Sequence, residues 1–203
     1  QMCIRDRSQE ETDVTAEEET EKNADFPGAP PFTVDLLDIN EYSRPGIALE
    51  KINGIVIHYT ANPKSTAKQN RDYFEGLKDS HETKASSHFV VGIKGEIVQC
   101  IPSSEISYAS NSRNSDTLSI ECCHKDKSGK FTKETYQSLV ELVGWLCQRF
   151  GLTSEQVIRH YDVTGKNCPK YFVEHEDEWE QFKKDVDAQI AVVEQEVETA
   201  SQQ

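Results

Sequence analysis

The sequence has no overall excess of positive charge. Its 203 residues hold 22 Lys and Arg against 36 Asp and Glu, a formal net charge of −14. Without a basic face to neutralise phosphates, no nucleic-acid partner is expected. No apolar run approaches the ~20 residues a membrane-crossing helix requires, so the sequence contains no membrane span. The 6 cysteines include no CxxC pair, which removes classical zinc fingers, zinc ribbons and thioredoxin-type redox sites. No fixed-period repeat is present, which removes solenoids and propellers. Hydrophobic residues make up 35% of the chain, little for a domain of this length, so part of the chain is expected to stay outside the core.

The distribution of charge indicates which part. Residues 1–25 hold 9 acids and 3 bases, residues 174–203 hold 10 acids and 2 bases, and the middle balances at 17 of each. The whole net charge therefore sits on the two ends. Residues 8–25 have Val14 and two Ala as their only apolar side chains. They cannot bury enough surface to offset chain entropy and are expected to form a disordered linker. FPGAPPF at 26–32 reads as its Pro-rich, extended end. The expected division is thus a linker over 1–32, one domain over 33–187 and an acidic helical tail over 188–203. Deleting residues 1–31 is expected to leave stability unchanged. The opening QMCIRDR does not match the tract behind it and reads as a sequencing-adapter scar, set aside for fold reasoning. A signal peptide or anchor is expected upstream, with the acidic linker as its tether.

Within the middle, GIVIHYT at 54–60 reads as a buried strand with a polar end. Ser65 or Thr66 can cap a helix running to about Leu77. Ser86–Ile101 reads as a hairpin around IKGE, and Thr117–Cys123 as a third core strand. Between Lys130 and Gly151, apolar residues recur at spacings of 3 and 4, with Thr132 able to cap the start and Gly151 the end. Val157–His160 enters a loop rich in Gly, Asn and Pro. From Asp177 a last helix carries Trp179, Phe182, Val186, Ile190, Val193 and Val197 on one stripe. Strands mixed with helices predict an α/β fold, a mixed central β-sheet flanked by helices.

Polar residues at strand ends are where chemistry is built on such sheets. His58 closes the first strand and, taken alone, reads more readily as a satisfied structural histidine. His160 with Cys168 eight residues later adds a second imidazole and a thiol, and two His plus one Cys are a common catalytic-zinc set. Glu121 lies inside the apolar run LSIECC. Either it faces solvent, or it is aimed into a cleft as a general base with a pKa tuned by burial. Lys166 is a solvated loop lysine or, if Cys168 binds metal, a group that reaches the substrate carbonyl.

Four segments in this order and spacing, GIVIHYTANP, ASSHFVVGIKGEIVQCIP, TLSIECC and RHYDVTGKNCP, resemble the zinc-dependent N-acetylmuramoyl-L-alanine amidases of the type-2 amidase family. Phage amidase-type lysozymes and the peptidoglycan recognition proteins share that fold. The resemblance covers roughly residues 47–185. It implies one zinc per chain on His58, His160 and Cys168, Glu121 as the catalytic carboxylate and Lys166 beside the oxyanion. It implies hydrolysis of the amide between N-acetylmuramic acid and L-alanine, with peptidoglycan or muropeptides as partner. A monomer acting outside the cell or at the cell wall is expected. Some relatives place a Tyr before the hairpin histidine where this chain has Ser87, which favours Glu121 as acid/base. Others carry a His ahead of the third strand, where this chain has YASNSRN; Tyr108, Asn111 and Arg113 are expected to line the peptide end of the groove instead.

Two rival functions are a peptidoglycan-binding module without activity and a cysteine hydrolase using Cys122 or Cys123. The first is disfavoured by the presence of Cys168. The second is disfavoured because neither thiol sits in a positive environment. Among the remaining residues, His88 reads as a buried structural histidine, while His81, His124 and His175 read as solvated. Cys122 and Cys123 should face opposite sides of their strand, and Cys100 and Cys147 read as small core hydrophobes.

Overall fold

The computed structural model describes residues 26–202. The disordered linker expected over 8–25 lies outside the described residues. One six-stranded sheet is formed by β1 (Thr33–Val34), β2 (Gly54–Tyr59), β3 (Phe89–Val91), β4 (Ile97–Gln99), β5 (Thr117–Cys122) and β6 (Val157–Arg159). The spatial order is β1-β4-β3-β5-β2-β6. Only the β3–β4 hairpin is antiparallel; the other neighbours run parallel. The helices are α1 (Ala67–Ser80), α2 (Lys133–Phe150), α3 (His160–Thr164), α4 (Lys170–Glu174) and α5 (Glu176–Ala200). This is the mixed α/β sandwich expected from the sequence pattern.

Local chemistry sets the long elements. Thr66 caps α1 through a reciprocal box with Gln69, satisfying donors that a helix start leaves bare. Thr132 caps α2 by accepting from the Thr135 N–H at 3.0 Å, and Gly151 ends it at φ +64°, a conformation that costs glycine no side-chain clash. α1 runs three residues past the expected end at Leu77, to Ser80. Two strands were not legible in the pattern. β1 pairs through only two residues, and β6 is a three-residue edge strand, both too short for periodicity to register.

The sheet has unequal faces. Ile55, Ile57, Leu118, Ile120 and Cys122 point towards α2 and α5 and build the larger core. Val90, Cys100, Ile101 and Cys123 point the other way, beneath α1. Cys122 and Cys123 thus face opposite sides, and both are buried thiols. α2 and α5 approach closely at Gly144, where an added Cβ would lie 2.5 Å from Gln189.

Residues on the far side of both expected boundaries pack against the domain. Phe26 meets Trp145 edge-on with ring centroids 6.1 Å apart, Phe32 packs on Phe89 and Trp145, and Ala29 joins the same cluster. Gly28, at φ +75°, lies so close to α5 that a Cβ there would come within 2.6 Å of Val193. Val193 is fully buried, and Ile190 and Val197 pack beside it. Residues 26–32 are therefore part of the fold, and so is the tail's first half. The stripe on α5 is visible in the sequence, but two Phe spread among prolines show no periodicity that would mark them as its packing partners.

His88 lies under the site and is fully buried. Its Nδ1 accepts from the Ser119 N–H at 3.0 Å, and its Nε2–H donates to the Glu105 carbonyl at 2.8 Å. Ser119 Oγ continues the chain to Ser107 Oγ at 2.7 Å. His88 is thus the structural histidine expected. His81 is exposed and ends α1 at φ +57°. His175 is exposed and stacks on Tyr171. His124 differs from expectation: it is buried, with Nδ1 2.7 Å from the Asp126 carbonyl and its ring beside Tyr59.

Two measurements follow from this packing. Phe26→Ala should cost about 1–3 kcal/mol for lost aromatic burial, and deleting residues 1–31 should lower the thermal midpoint; midpoints equal to that of the full chain would show that the segment does not dock. Burial pulls the pKa of His88 down to about 4. The neutral ring is favoured in the fold, so its contribution of ~3 kcal/mol is complete above pH 6.5 and is lost as pH falls towards 4. His58 acts in the same direction. His88→Leu should flatten the fall of stability between pH 6.5 and 4, and should lower stability at pH 7 by stripping partners from Ser119 and Glu105. An unchanged acid limb in urea titrations of the variant would rule out this role.

Candidate active site

Parallel pairing brings three strand ends to one edge. β5 and β6 flank β2, and His58 is the register partner of Glu121. Register partners on adjacent strands point to the same face, so the imidazole and the carboxylate stand side by side. They project on the face opposite Ile57 and Ile120, which explains how Glu121 can sit between Ile120 and Cys122 without entering the larger core. His160 follows directly on β6 and opens α3, where a loop was expected. Gly165, at φ +78°, ends α3 and turns the chain back. The Tyr161 N–H then donates to the Cys168 carbonyl at 2.9 Å, which fixes the returning strand of the loop.

Buried Arg159 holds this corner together. Its guanidinium pairs with Asp162 at 3.0 Å and Glu176 at 2.6 Å, and donates to the Phe172 carbonyl at 3.1 Å. One side chain thereby ties β6 to α3, α4 and α5, the elements on either side of Cys168.

The result is a compact donor set. One ligand atom each from His58, His160 and Cys168 lies within 4.8 Å of the others, and all three residues are buried. The imidazole centroids are 4.6 Å apart, and Cys168 Sγ is 3.9 Å from His58 Nδ1. The outer ring nitrogens are held from behind: His58 Nε2 is 3.2 Å from Ser110 Oγ, and His160 Nε2 is 2.8 Å from Asn111 Oδ1. His160 Nδ1 is buried with no protein partner. A buried imidazole nitrogen without a partner is costly, so the site fits a group that would take up that lone pair.

Electrostatics agree with a cation site. Burial, then His160 and Lys166, push the His58 pKa well below its ordinary value; burial and Lys166 lower that of His160. Both rings are therefore neutral at pH 7, with lone pairs free to ligate. Burial pushes the Cys168 thiol up to about 12. Glu121 is raised to about 7 by burial, partly opposed by Lys166, and its Oε2 is buried without a partner. The Lys166 side chain itself is exposed. His58, His160 and Cys168 thus form a cluster able to hold a metal ion, with Glu121 and Lys166 beside it.

Other expected site residues lie differently. Ser87 is fully buried and donates to the Phe89 carbonyl at 2.8 Å, so it does not face the cleft. Asn111 was expected on the peptide, but its amide oxygen meets His160. Arg113 was expected there too, but its Nε donates to Asp116 at 2.7 Å. Tyr108 lies under the Lys84 ammonium, 5.5 Å from the ring centroid. Ser110 was missed; its signal was adjacency to Asn111 in a polar loop ahead of a core strand. A polar pocket of about 680 Å³ follows His58 along the chain, lined by Thr60, Asn62, Lys64, Gln69, Asn70 and Tyr73.

Residues 48–171 match the Amidase_2 family model, N-acetylmuramoyl-L-alanine amidase. The chain is 38% identical over 166 residues to the N-acetylmuramoyl-L-alanine amidase CwlL of Bacillus licheniformis, covering 75% of this chain and 46% of that protein. It is 31% identical over 181 residues to the N-acetylmuramoyl-L-alanine amidase BlyA of Bacillus subtilis (strain 168), covering 79% and 48%. The chain thus spans about half the length of the curated relatives it matches. Among solved structures, the catalytic domain of XlyA superposes with a TM-score of 0.66 at 25% identity, covering 76% of this chain and 98% of that one. By motif order, fold and site geometry together, the chain belongs to the N-acetylmuramoyl-L-alanine amidase family.

Proposed function

We propose that this chain hydrolyses the amide bond between N-acetylmuramic acid and the first L-alanine of peptidoglycan or its muropeptides, using one zinc per chain held by His58, His160 and Cys168. The observation that carries this reading is the convergence of those three donors with Glu121 and Lys166 on one sheet edge, in a chain of this family. Three protein ligands are the number that catalytic zinc sites use, leaving a coordination position open. A zinc bound there supplies a Lewis acid for the scissile carbonyl and acidifies water.

The chain's own residues do the rest. Glu121 has a carboxylate oxygen without a partner and a pKa raised to about 7. It accepts a proton from the attacking water and returns it to the leaving amine of L-alanine. The exposed Lys166 ammonium offsets the negative charge that develops on the carbonyl oxygen. The polar pocket lined by Thr60, Asn62 and Tyr73 is the region we assign to the substrate, and Tyr108 is assigned to its peptide end.

The fitting setting is extracellular or at the cell wall, where peptidoglycan lies, and the fitting state is a monomer. No described helix is long and apolar enough to cross a membrane. A cysteine hydrolase is disfavoured because burial drives Cys122 well above the ordinary thiol range and Cys123 up to about 12. A binding module without activity is disfavoured because the complete donor set is assembled beside a carboxylate.

Elemental analysis should find about one zinc per chain, lost when His58, His160 or Cys168 is replaced by Ala. Active protein free of zinc would end the reading. Glu121→Gln should slow release of L-alanine amino termini from purified peptidoglycan by about 10²–10⁴-fold with zinc retained. Lys166→Met should also slow it with zinc retained. Near-normal turnover of Glu121→Gln would make that carboxylate structural.

A further inference from the structure

Behind the donor set, one loop touches both imidazoles. Ser110 and Asn111 are consecutive, and they meet His58 Nε2 at 3.2 Å and His160 Nε2 at 2.8 Å. A carboxamide oxygen can only accept, so His160 Nε2 carries the hydrogen. Its Nδ1 therefore keeps a bare lone pair, the buried atom that finds no partner in the protein. Ser110 Oγ can accept from His58 Nε2–H, the arrangement that leaves the His58 Nδ1 lone pair facing Cys168 Sγ. Two adjacent side chains thus hold the rings of two ligands from different elements, β2 and α3, and Asn111 sets the tautomer of His160.

The loop is built to hold that pose. Asn111 adopts φ +53°, a left-handed conformation that Asn tolerates better than most residues. Asn114 Oδ1 accepts from the Ser110 N–H at 2.6 Å and the Ala109 N–H at 3.1 Å. The Asn114 N–H closes on the Asn111 carbonyl at 3.2 Å. At its far end the loop is pinned by Thr117 Oγ1, which donates to the Arg113 carbonyl at 2.6 Å. Asp116 joins Arg113 to Asn53, just ahead of β2. Ser110 is 1% exposed, so water does not compete for its hydroxyl.

We propose that the 109–114 loop is a clamp that presets the site for metal: Ser110 and Asn111 are positioning residues for His58 and His160, and Asn114 positions both from behind without touching either ligand. This inference rests on the zinc reading above. Outer partners of ligating histidines fix ring orientation and raise ligand basicity, and losing one typically weakens metal affinity by about 10–100-fold.

The experiment measures zinc dissociation constants by competition with a chelator of known affinity, on the full chain and on Ser110→Ala, Asn111→Ala, Asn114→Ala and Asn111→Asp. The thermal midpoint of each zinc-free protein and the ¹⁵N signature of the His160 tautomer are recorded in parallel. The three Ala variants should bind zinc about 10–100-fold more weakly, with zinc-free midpoints close to the parent's. Asn111→Asp should restore affinity, because a carboxylate still accepts from Nε2–H. Asn111→Ala should also lose the pure Nε2–H signature of His160. Unchanged affinity in all three Ala variants overturns the clamp. So does a loss of affinity matched by a fall in zinc-free midpoint, or an Asn111→Asp variant as weak as Asn111→Ala. A parent chain that takes up no zinc overturns the proposed function itself, and that result is seen before any variant is compared.

Discussion

The structure depends on the parallel register of three strands, β2 between β5 and β6. That pairing aligns His58 with Glu121 and brings the end of β6, where His160 begins, to the same edge. A slip of one residue between β2 and β5 would turn one of the two side chains into the larger core. The apolar alternation forbids the slip, since Ile55, Ile57, Leu118 and Ile120 must all face α2 and α5. Hydrophobic burial on one face therefore fixes the chemistry on the other. The core behind α2 and α5 supplies rigidity, and the thinner layer beneath α1 leaves room for polar groups.

Those polar groups are arranged in depth. His88, Ser119 and Ser107 form a buried chain under the site, and the Glu105 carbonyl that ends it belongs to a residue whose carboxylate grips Arg44 through two bonds of 2.7 and 2.8 Å. In a low-dielectric interior such chains are favourable only when every member is satisfied. Here they are, down to the few atoms at the site itself: Glu121 Oε2 and His160 Nδ1 are among the buried side-chain atoms left without partners. Unsatisfied atoms next to a fully satisfied network mark where a ligand is expected rather than where packing has failed.

The long elements and the grouping of His58, His160 and Cys168 were legible in the sequence for different reasons. α2 and β5 announced themselves through periodicity and through caps whose chemistry is local, Thr132 and Gly151. His58, Glu121, His160, Lys166 and Cys168 were singled out through motif order, because no spacing rule joins residues some 100 positions apart. What escaped were features decided by tertiary contact. Phe26 and Phe32 become core residues only when Trp145 is beside them. Val193 lies against Gly28, a contact the acidic tail does not announce. His124 sits in a polar stretch that gives no sign of the Tyr59 ring covering it. Asn111 was placed on the substrate because its loop is polar and near the site; the partner of its amide oxygen depends on a left-handed turn that composition does not reveal.

One further argument connects the site's electrostatics to its composition. Burial pushes His58, His160, Cys168 and Glu121 each towards its neutral form. Four groups driven the same way by desolvation would ordinarily be replaced by apolar side chains at little cost. Their shared feature is that each is a better donor or base once a positive charge stands among them: the thiol and the carboxyl ionise, and the neutral rings already present lone pairs. The exposed cation Lys166 opposes the rise at Glu121 and at Cys168, but from the rim and only in part. A divalent cation at the centre of the donor set would reverse both rises without ionising either ring. On the proposed zinc reading, the desolvation that makes these residues costly in the free protein is the same property that would favour a metal over a proton.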